Sequence, residues 1–197
     1  MIRVQPDQRR PTDDPRVLRS QGLLRAAILE LGREGPIDGV AISDITGRAG
    51  VSRSTFYDHY TDKETLLADA IERQALDAGI SVREAGLADG LPDQPPSFLI
   101  DYVQHIADHA ELYRNVLGEY GSATVHARLA RRMASILVEG YQLLGEHAPA
   151  ESSLPIEVDA AALAGAVLAV LAHWLEHLPR TPPSVVASWI WEIVGRE

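Results

Sequence analysis

Between Arg53 and His59 the chain sets Arg53, Ser54, Thr55, Tyr57, Asp58 and His59 around a single large apolar residue, Phe56. On a short helix that buries Phe56 the other six face elsewhere, offering a guanidinium, two hydroxyls, a phenol, a carboxylate and an imidazole. These are groups that a helix in a DNA major groove needs, because donors and acceptors read base edges while hydroxyls and cations hold phosphates. A second set of chemistry-bearing residues is histidine. His105 and His109 stand four apart, as do His173 and His177, a spacing that lets two imidazoles share a metal on one helical face. Asp101 or Asp108 could add a carboxylate to the first pair, but neither pair sits in a recognised metal motif. No Gly-rich phosphate loop, nucleophile elbow or marked pair of carboxylates accompanies them. The reading is that the chain is no enzyme and uses no metal or cofactor. The alternatives are a helical metal-binding protein or enzyme using His105 and His109, and a protein-interaction module.

The residues around the first set explain how it would be held. Ile42, Ile45 and Ala49 fall at i, i+3 and i+7 and predict a helix of two turns that Gly50 ends by permitting a left-handed backbone. Val51 plugs the turn and Ser52 restarts the chain as an N-cap. Thr61 and Glu64 fit a capping box for the next helix. The stretch from Ile42 to Leu67 therefore reads as a helix-turn-helix followed by a third capped helix.

This arrangement resembles the DNA-binding domain of TetR-type (TetR/AcrR-like) transcriptional repressors. The resemblance covers Asp14 to Leu67 and rests on Ile45, Ala49-Gly50-Val51-Ser52, Thr55-Phe56-Tyr57, Tyr60, Lys63-Glu64 and Leu66-Leu67. It implies that Arg53 to His59 is the recognition helix. It further implies DNA contacts from Ser43, Arg53, Ser54, Thr55, Tyr57, Asp58, His59 and Lys63, with Thr55, Tyr57 and Lys63 on phosphates and Arg53, Ser54, Asp58 and His59 as candidates for base contact. Two residues depart from the pattern: Ala41 where a hydroxyl is common, and Thr46 where a small apolar residue is common.

No run of alternating β-branched residues calls for a sheet, and the fold class expected is all-α. Nine helices are expected. The first runs from Asp14-Pro15 to Glu34 and is stopped by Gly35-Pro36; two more form the helix-turn-helix; the fourth runs from Lys63 to about Leu87. The other five are placed at 98–109, 111–117, 123–146, 156–178 and 183–194, with Gly86 to Ser97 the clearest loop. The organisation expected is a disordered arm over 1–13, a helix-turn-helix DNA-binding domain over 14–62, and a helical ligand-binding and dimerisation domain over 63–197.

Across 197 residues the net charge is −10, which would discourage a nucleic-acid partner if it were evenly spread. It is not: through Lys63 the chain carries 10 basic against 9 acidic residues, and beyond it 8 against 19. Phosphate binding depends on the face presented, and Arg9, Arg10, Arg16, Arg19, Arg48, Arg53 and Lys63 could supply one. The acidic second half hints at a cationic effector. The absence of cysteine fits a reducing cytosol, so the chain reads as cytoplasmic. The nearly apolar run from Asp159 to Glu176 is shorter than a bilayer span and rich in alanine, and suits a packed helix rather than a membrane.

That run has a further implication. Leu163, Val167, Val170 and Trp174 form one stripe, with Leu168, Leu171, Leu175 and Leu178 beside it, so the helix needs two partners. Pairing it and the last helix with their copies would make a homodimer through Leu163, Val167, Val170, Leu171, Trp174, Trp189, Ile190 and Ile193. Two recognition helices one turn of DNA apart then suit a palindromic operator on double-stranded DNA. By resemblance alone, a small-molecule effector is expected in a cavity among the C-terminal helices, near Tyr102, His105, Tyr113, Leu117, Met133, Leu137 and Trp174.

Overall fold

The first helix, α1 (Pro15–Glu34), starts where its sequence says it should: the Asp14 carboxylate accepts the Arg16 N–H at 2.8 Å, and Pro15 supplies a preset φ without wasting a donor. The computed structural model describes residues 14–78, 82–84, 87, 90–145 and 154–195. The expected arm over 1–13, and parts of the expected loops at 86–97 and 147–155, lie outside them. Leu24, Ala27, Ile28 and Leu31 repeat at helical spacing and bury one face of α1. That stripe seats α2 (Ile42–Ala49) and α3 (Arg53–His59) on one side and α4 (Lys63–Asp77) on the other.

The rest is a helical body of α5 (Ser97–Asp108), α6 (Ala110–Leu117), α7 (Ala123–Leu144), α8 (Ile156–His177) and α9 (Pro183–Val194). Short 3-10 turns occupy Ile37–Gly39 and Val82–Glu84. Among the described residues there are nine α-helices and no strand. α7 packs along α8, α5 against α9, and α6 wedges between α1 and α8. The α6–α1 contact is tight: Leu112 fills the space beside Gly32, and the Asn115 amide donates to the Gly32 carbonyl at 2.9 Å, satisfying the last turn of α1.

Three expectations are corrected. The fourth helix ends at Asp77 rather than near Leu87; Ala78 closes it, and Gly79 follows in the sequence with the poorest helix propensity of any residue but proline. Its N-cap is Asp62 and not Thr61. The Asp62 carboxylate accepts the Thr65 N–H at 2.6 Å, and the Thr61 hydroxyl donates to the other oxygen at 2.9 Å. Both residues fit the cap spacing, and the charged one gains more from the helix dipole. Finally, α8 has 22 residues and is, by length and composition, long and apolar enough to cross a bilayer. Its large apolar side chains Val167, Leu168, Leu171, Trp174 and Leu175 are instead buried in the protein core.

Candidate DNA-reading face and effector cavity

Gly50 ends α2 in the left-handed region, at φ 65°, where a side chain would be strained. Val51 N–H reaches back to the Thr46 carbonyl at 3.1 Å, and the Ser52 hydroxyl accepts the Thr55 N–H at 3.1 Å to begin α3. The two departures from the expected motif are absorbed locally. Ala41 offers no side-chain cap, but its N–H donates to the Asp44 carboxylate at 3.0 Å. Thr46 is buried, and its hydroxyl donates to the Ser43 carbonyl at 3.3 Å. Phe56 is fully buried and fixes the rotation of α3, so that Arg53, Ser54, Tyr57 and Asp58 are exposed together, with Ser43 exposed on α2. Tyr57 is 54% exposed although its ring leans edge-on against Phe56 at 5.3 Å.

Four of the expected DNA contacts are otherwise engaged. The Lys63 ammonium donates to the carbonyls of Asp38 and Val40, each at 2.9 Å. His59 Nε2 sits 2.7 Å from the Ser20 hydroxyl, and the Ser52 hydroxyl has the Ser54 hydroxyl at 3.0 Å and that of Thr55 at 2.9 Å. Arg48, expected on the basic face, is held by Glu34 and lies near Glu30. Sequence reasoning passed over Tyr60 as an active member of the region. Its hydroxyl donates to Asp69 of α4 at 2.6 Å, and Asp69 also meets Arg25 of α1 at 3.4 Å, so one carboxylate joins the end of α3 to α1 and α4. Burial and the hydrogen bond to Asp69 push the Tyr60 phenol far above its ordinary range.

In the body, α4, α5, α6, α7, α8 and α9 enclose a cavity of about 480 Å³ with a predominantly apolar wall. Tyr102, Tyr113, Leu117, Met133 and Leu137 line it, as expected of them. Two expected residues do not. His105 is buried between α5 and α6, its ring 4.5 Å from that of His109 and 6.1 Å from that of Tyr113, with Nε2 lacking a hydrogen bond. Trp174 turns to the other side of α8, where its indole N–H donates to the Thr181 carbonyl at 3.1 Å. There it borders a shallow cleft shared with Ala169, Val170, His173 and Trp189. Burial holds Tyr102 protonated, its phenol pushed up to about 12, and raises Tyr113 further. Burial, then the neighbouring His109, lowers His105. Among the described residues no third histidine or carboxylate joins either histidine pair in a metal-holding cluster.

The expected dimer residues divide in the same way. Val167, Leu171, Trp174 and Ile190 are buried inside the protomer and have no surface to offer a second copy. Leu163, Val170, Trp189 and Ile193 remain half-buried. The free face of α8 consists instead of small residues, Ala162, Gly165 and Ala169, beside Val170 and His173. Leucine-rich positions stand out as the second stripe because bulk marks apolarity in a sequence; alanine and glycine mark close approach more quietly.

Residues 23–70 match the family model of bacterial regulatory proteins, tetR family. Over 61 residues, 30% of this chain and 16% of the relative, the chain is 44% identical to an uncharacterised HTH-type transcriptional regulator of Bacillus subtilis strain 168, YxbF. Over 132 residues, 62% of this chain and 65% of the relative, it is 28% identical to an HTH-type transcriptional repressor of Streptomyces coelicolor. The chain thus spans less than two thirds of the length of each of these curated relatives. In fold it is similar to the Thermus thermophilus FadR, a TetR-family transcriptional repressor solved with lauroyl-CoA (TM-score 0.62, 20% identity, 88% of this chain and 92% of that one). It is likewise similar to the dihydroxyacetone kinase operon activator DhaS (TM-score 0.58, 15% identity, 89% and 93%).

Proposed function

We take the chain's place among the TetR-type transcriptional regulators as the premise and propose that it is a cytoplasmic, homodimeric repressor, released from a palindromic operator when a small molecule enters the α4–α9 cavity. The observation that carries the DNA reading is the α3 face. Phe56 and the Gly50 turn fix a helix from which Arg53, Ser54, Tyr57 and Asp58 project together, unburied, with donors and acceptors matched to base edges and phosphates. Residues 14–62 act as the DNA-binding domain and 63–197 as the effector and dimer domain. Among the expected contacts, Arg53 and Asp58 are the base readers and Ser43 and Tyr57 the phosphate holders; Ser54, Thr55, His59 and Lys63 first serve the DNA-binding domain's own structure.

The cavity supports the effector half of the reading. It lies beside α4, and α4 carries Asp69, which ties Tyr60 at the end of α3. A ligand that binds better to one α4 position than another shifts the population of head spacings, and only by that differential affinity. The lauroyl-CoA of the Thermus thermophilus protein shows that a similar fold accepts an effector-sized organic molecule.

The test is selection of bound sequences from random duplex DNA by the full chain, followed by affinity measurements across salt concentrations. A palindrome with half-sites about 10 base pairs apart, and an affinity that falls steeply with salt, is the expected result. Absence of any enriched site from folded protein, with and without candidate effectors, would remove the regulator reading.

A further inference from the structure

We propose that the cavity takes an amphipathic organic anion, its apolar body in the chamber and its anionic group at the mouth on Arg131 and Arg128; the assignment rests on the effector reading above. The chamber accounts for the apolar body: Ile106, Leu117, Met133, Ile136, Leu137 and Leu171 all contribute to its wall. At its depth the Tyr113 hydroxyl is buried without a hydrogen-bond partner, a donor ready for one polar atom on that body.

The mouth between α4 and α7 decides the sign of the charge. Its carboxylates are already engaged. Asp69 holds Tyr60 and Arg25, Glu72 pairs with Arg132 at 2.7 Å, and Glu139 pairs with Arg83 at 2.6 Å. Its cations are not all engaged. Arg131 is exposed and makes no ion pair with another described residue. Arg128 reaches Asp62 only at 3.7 Å, beyond hydrogen-bond range, and its buried Nε has no hydrogen bond. A cationic ligand finds no carboxylate here without a cation of its own, Glu139 included, whose buried Oε1 faces Arg83 in an ion pair without a hydrogen bond, and a neutral one leaves the buried Arg128 Nε orphaned. An anion satisfies both arginines with charge-assisted hydrogen bonds. The acidic surplus of the chain beyond Lys63 is therefore no guide to the effector's charge, because at the mouth Arg128, Arg131 and Arg132 balance Asp69, Glu72 and Glu139, and each of these three carboxylates already carries an ion pair.

The position of Arg128 supplies the link to regulation. Its ion-pair partner, Asp62, is the N-cap of α4. An anion that draws Arg128 toward itself competes with that carboxylate, and so loosens α7 from the end of α4 nearest the head.

Two probes with the same aromatic body separate the possibilities: the anion anilinonaphthalene sulfonate and its neutral counterpart N-phenylnaphthylamine, each titrated by fluorescence into the full-length protein. The expected result is at least about tenfold tighter binding of the sulfonate, the worth of one charge-assisted contact. Arg131→Gln should remove about that factor for the sulfonate while leaving the neutral probe unchanged. Met133→Trp and Leu137→Trp, each checked for folding by circular dichroism, should reduce binding of both probes by filling the chamber. Equal or tighter binding of the neutral probe, indifference of the sulfonate to Arg131→Gln, or sulfonate binding that survives every folded chamber-filling variant would overturn the proposal. Protein that selects an operator but fails these tests loses only the anion assignment; protein that passes them but selects no DNA keeps the cavity chemistry and loses the regulator reading.

Discussion

Arg53 opens α3 and Tyr57 follows one turn later on the same exposed side, yet the two side chains differ in what they can tell DNA. A guanidinium can bond a guanine edge with two parallel donors; a phenol holding a phosphate carries no sequence information. Arg53→Ala should therefore cost about 1–3 kcal/mol on the selected operator and flatten preference at one base pair, whereas Tyr57→Ala should weaken specific and nonspecific DNA alike. Competition binding with single-base operator variants distinguishes these outcomes, and equal losses on all sequences for Arg53→Ala would make it a phosphate contact. Lys63 is the contrast, because its ammonium already bridges two carbonyls of the α1–α2 connection. His105 makes a different prediction, about stability. Its folded-state pKa is depressed, by burial first and by His109 second, with Asp108 opposing them. The unfolded chain therefore takes up a proton before the folded one does. The associated stability is fully present above the unfolded value of about 6.5 and is lost as pH falls through the folded value. Thermal melts between about pH 8 and pH 5 should fall less steeply for His105→Phe than for the parent; parallel slopes would assign the acid sensitivity elsewhere.

At the scale of elements the two glycines of α2 and its turn separate backbone strain from helix propensity. Gly50 needs its left-handed φ, whereas Gly47 lies within α2 and is exposed, with open space where a Cβ would go. Gly50→Ala should cost about 1–2 kcal/mol, and Gly47→Ala should gain about 0.5–1 kcal/mol. Paired thermal melts check the opposite signs, and a loss for both would mean that α2 is held by something other than these local preferences. The helix-turn-helix was legible in the sequence for this reason: Gly50, Ser52 and Phe56 act within a few residues of one another, so order along the chain is nearly order in space. The same locality made the bounds of α1 and α9 readable from Asp14-Pro15 and Pro182-Pro183. It failed for α4, where Leu76, Val82 and Leu87 prolong an apolar pattern that the chain does not follow as one helix; Val82 and Leu87 instead form a small separate cluster with Leu144 of α7. It failed again for the cavity. His105 and Trp174 have the right side chains for a pocket, but which side of α5 or α8 faces the chamber is set by α7 and α9, far away in sequence.

For the whole molecule the decisive surface is the one that the protomer leaves uncovered. On α8, Ala162, Gly165 and Ala169 are exposed in a row beside Val170 and His173, and on α9 Val185 and Trp189 continue the apolar face. Small side chains let two such helices approach closely, so that the larger groups at the margin, Trp189 above all, can fill the shallow cleft of the partner copy. In the proposed dimer the two-fold axis falls on the small-residue row rather than on Val167, Leu171 and Ile190, which are buried within the protomer. Ala169→Glu tests it at a position where a longer side chain meets solvent in the isolated protomer and a like charge in the dimer. The expected outcome is a monomer by sedimentation velocity with helicity and melting of the protomer core retained, because the substituted side chain lies outside that core. Loss of the dimer must then appear on DNA as well: a single head engages one half-site, and the variant should bind a full palindrome no more tightly than an isolated half-site. A variant that sediments as a dimer and still distinguishes the full palindrome would move the axis off this face, and the α8 row would then be an ordinary solvent-facing surface of a chain that pairs elsewhere.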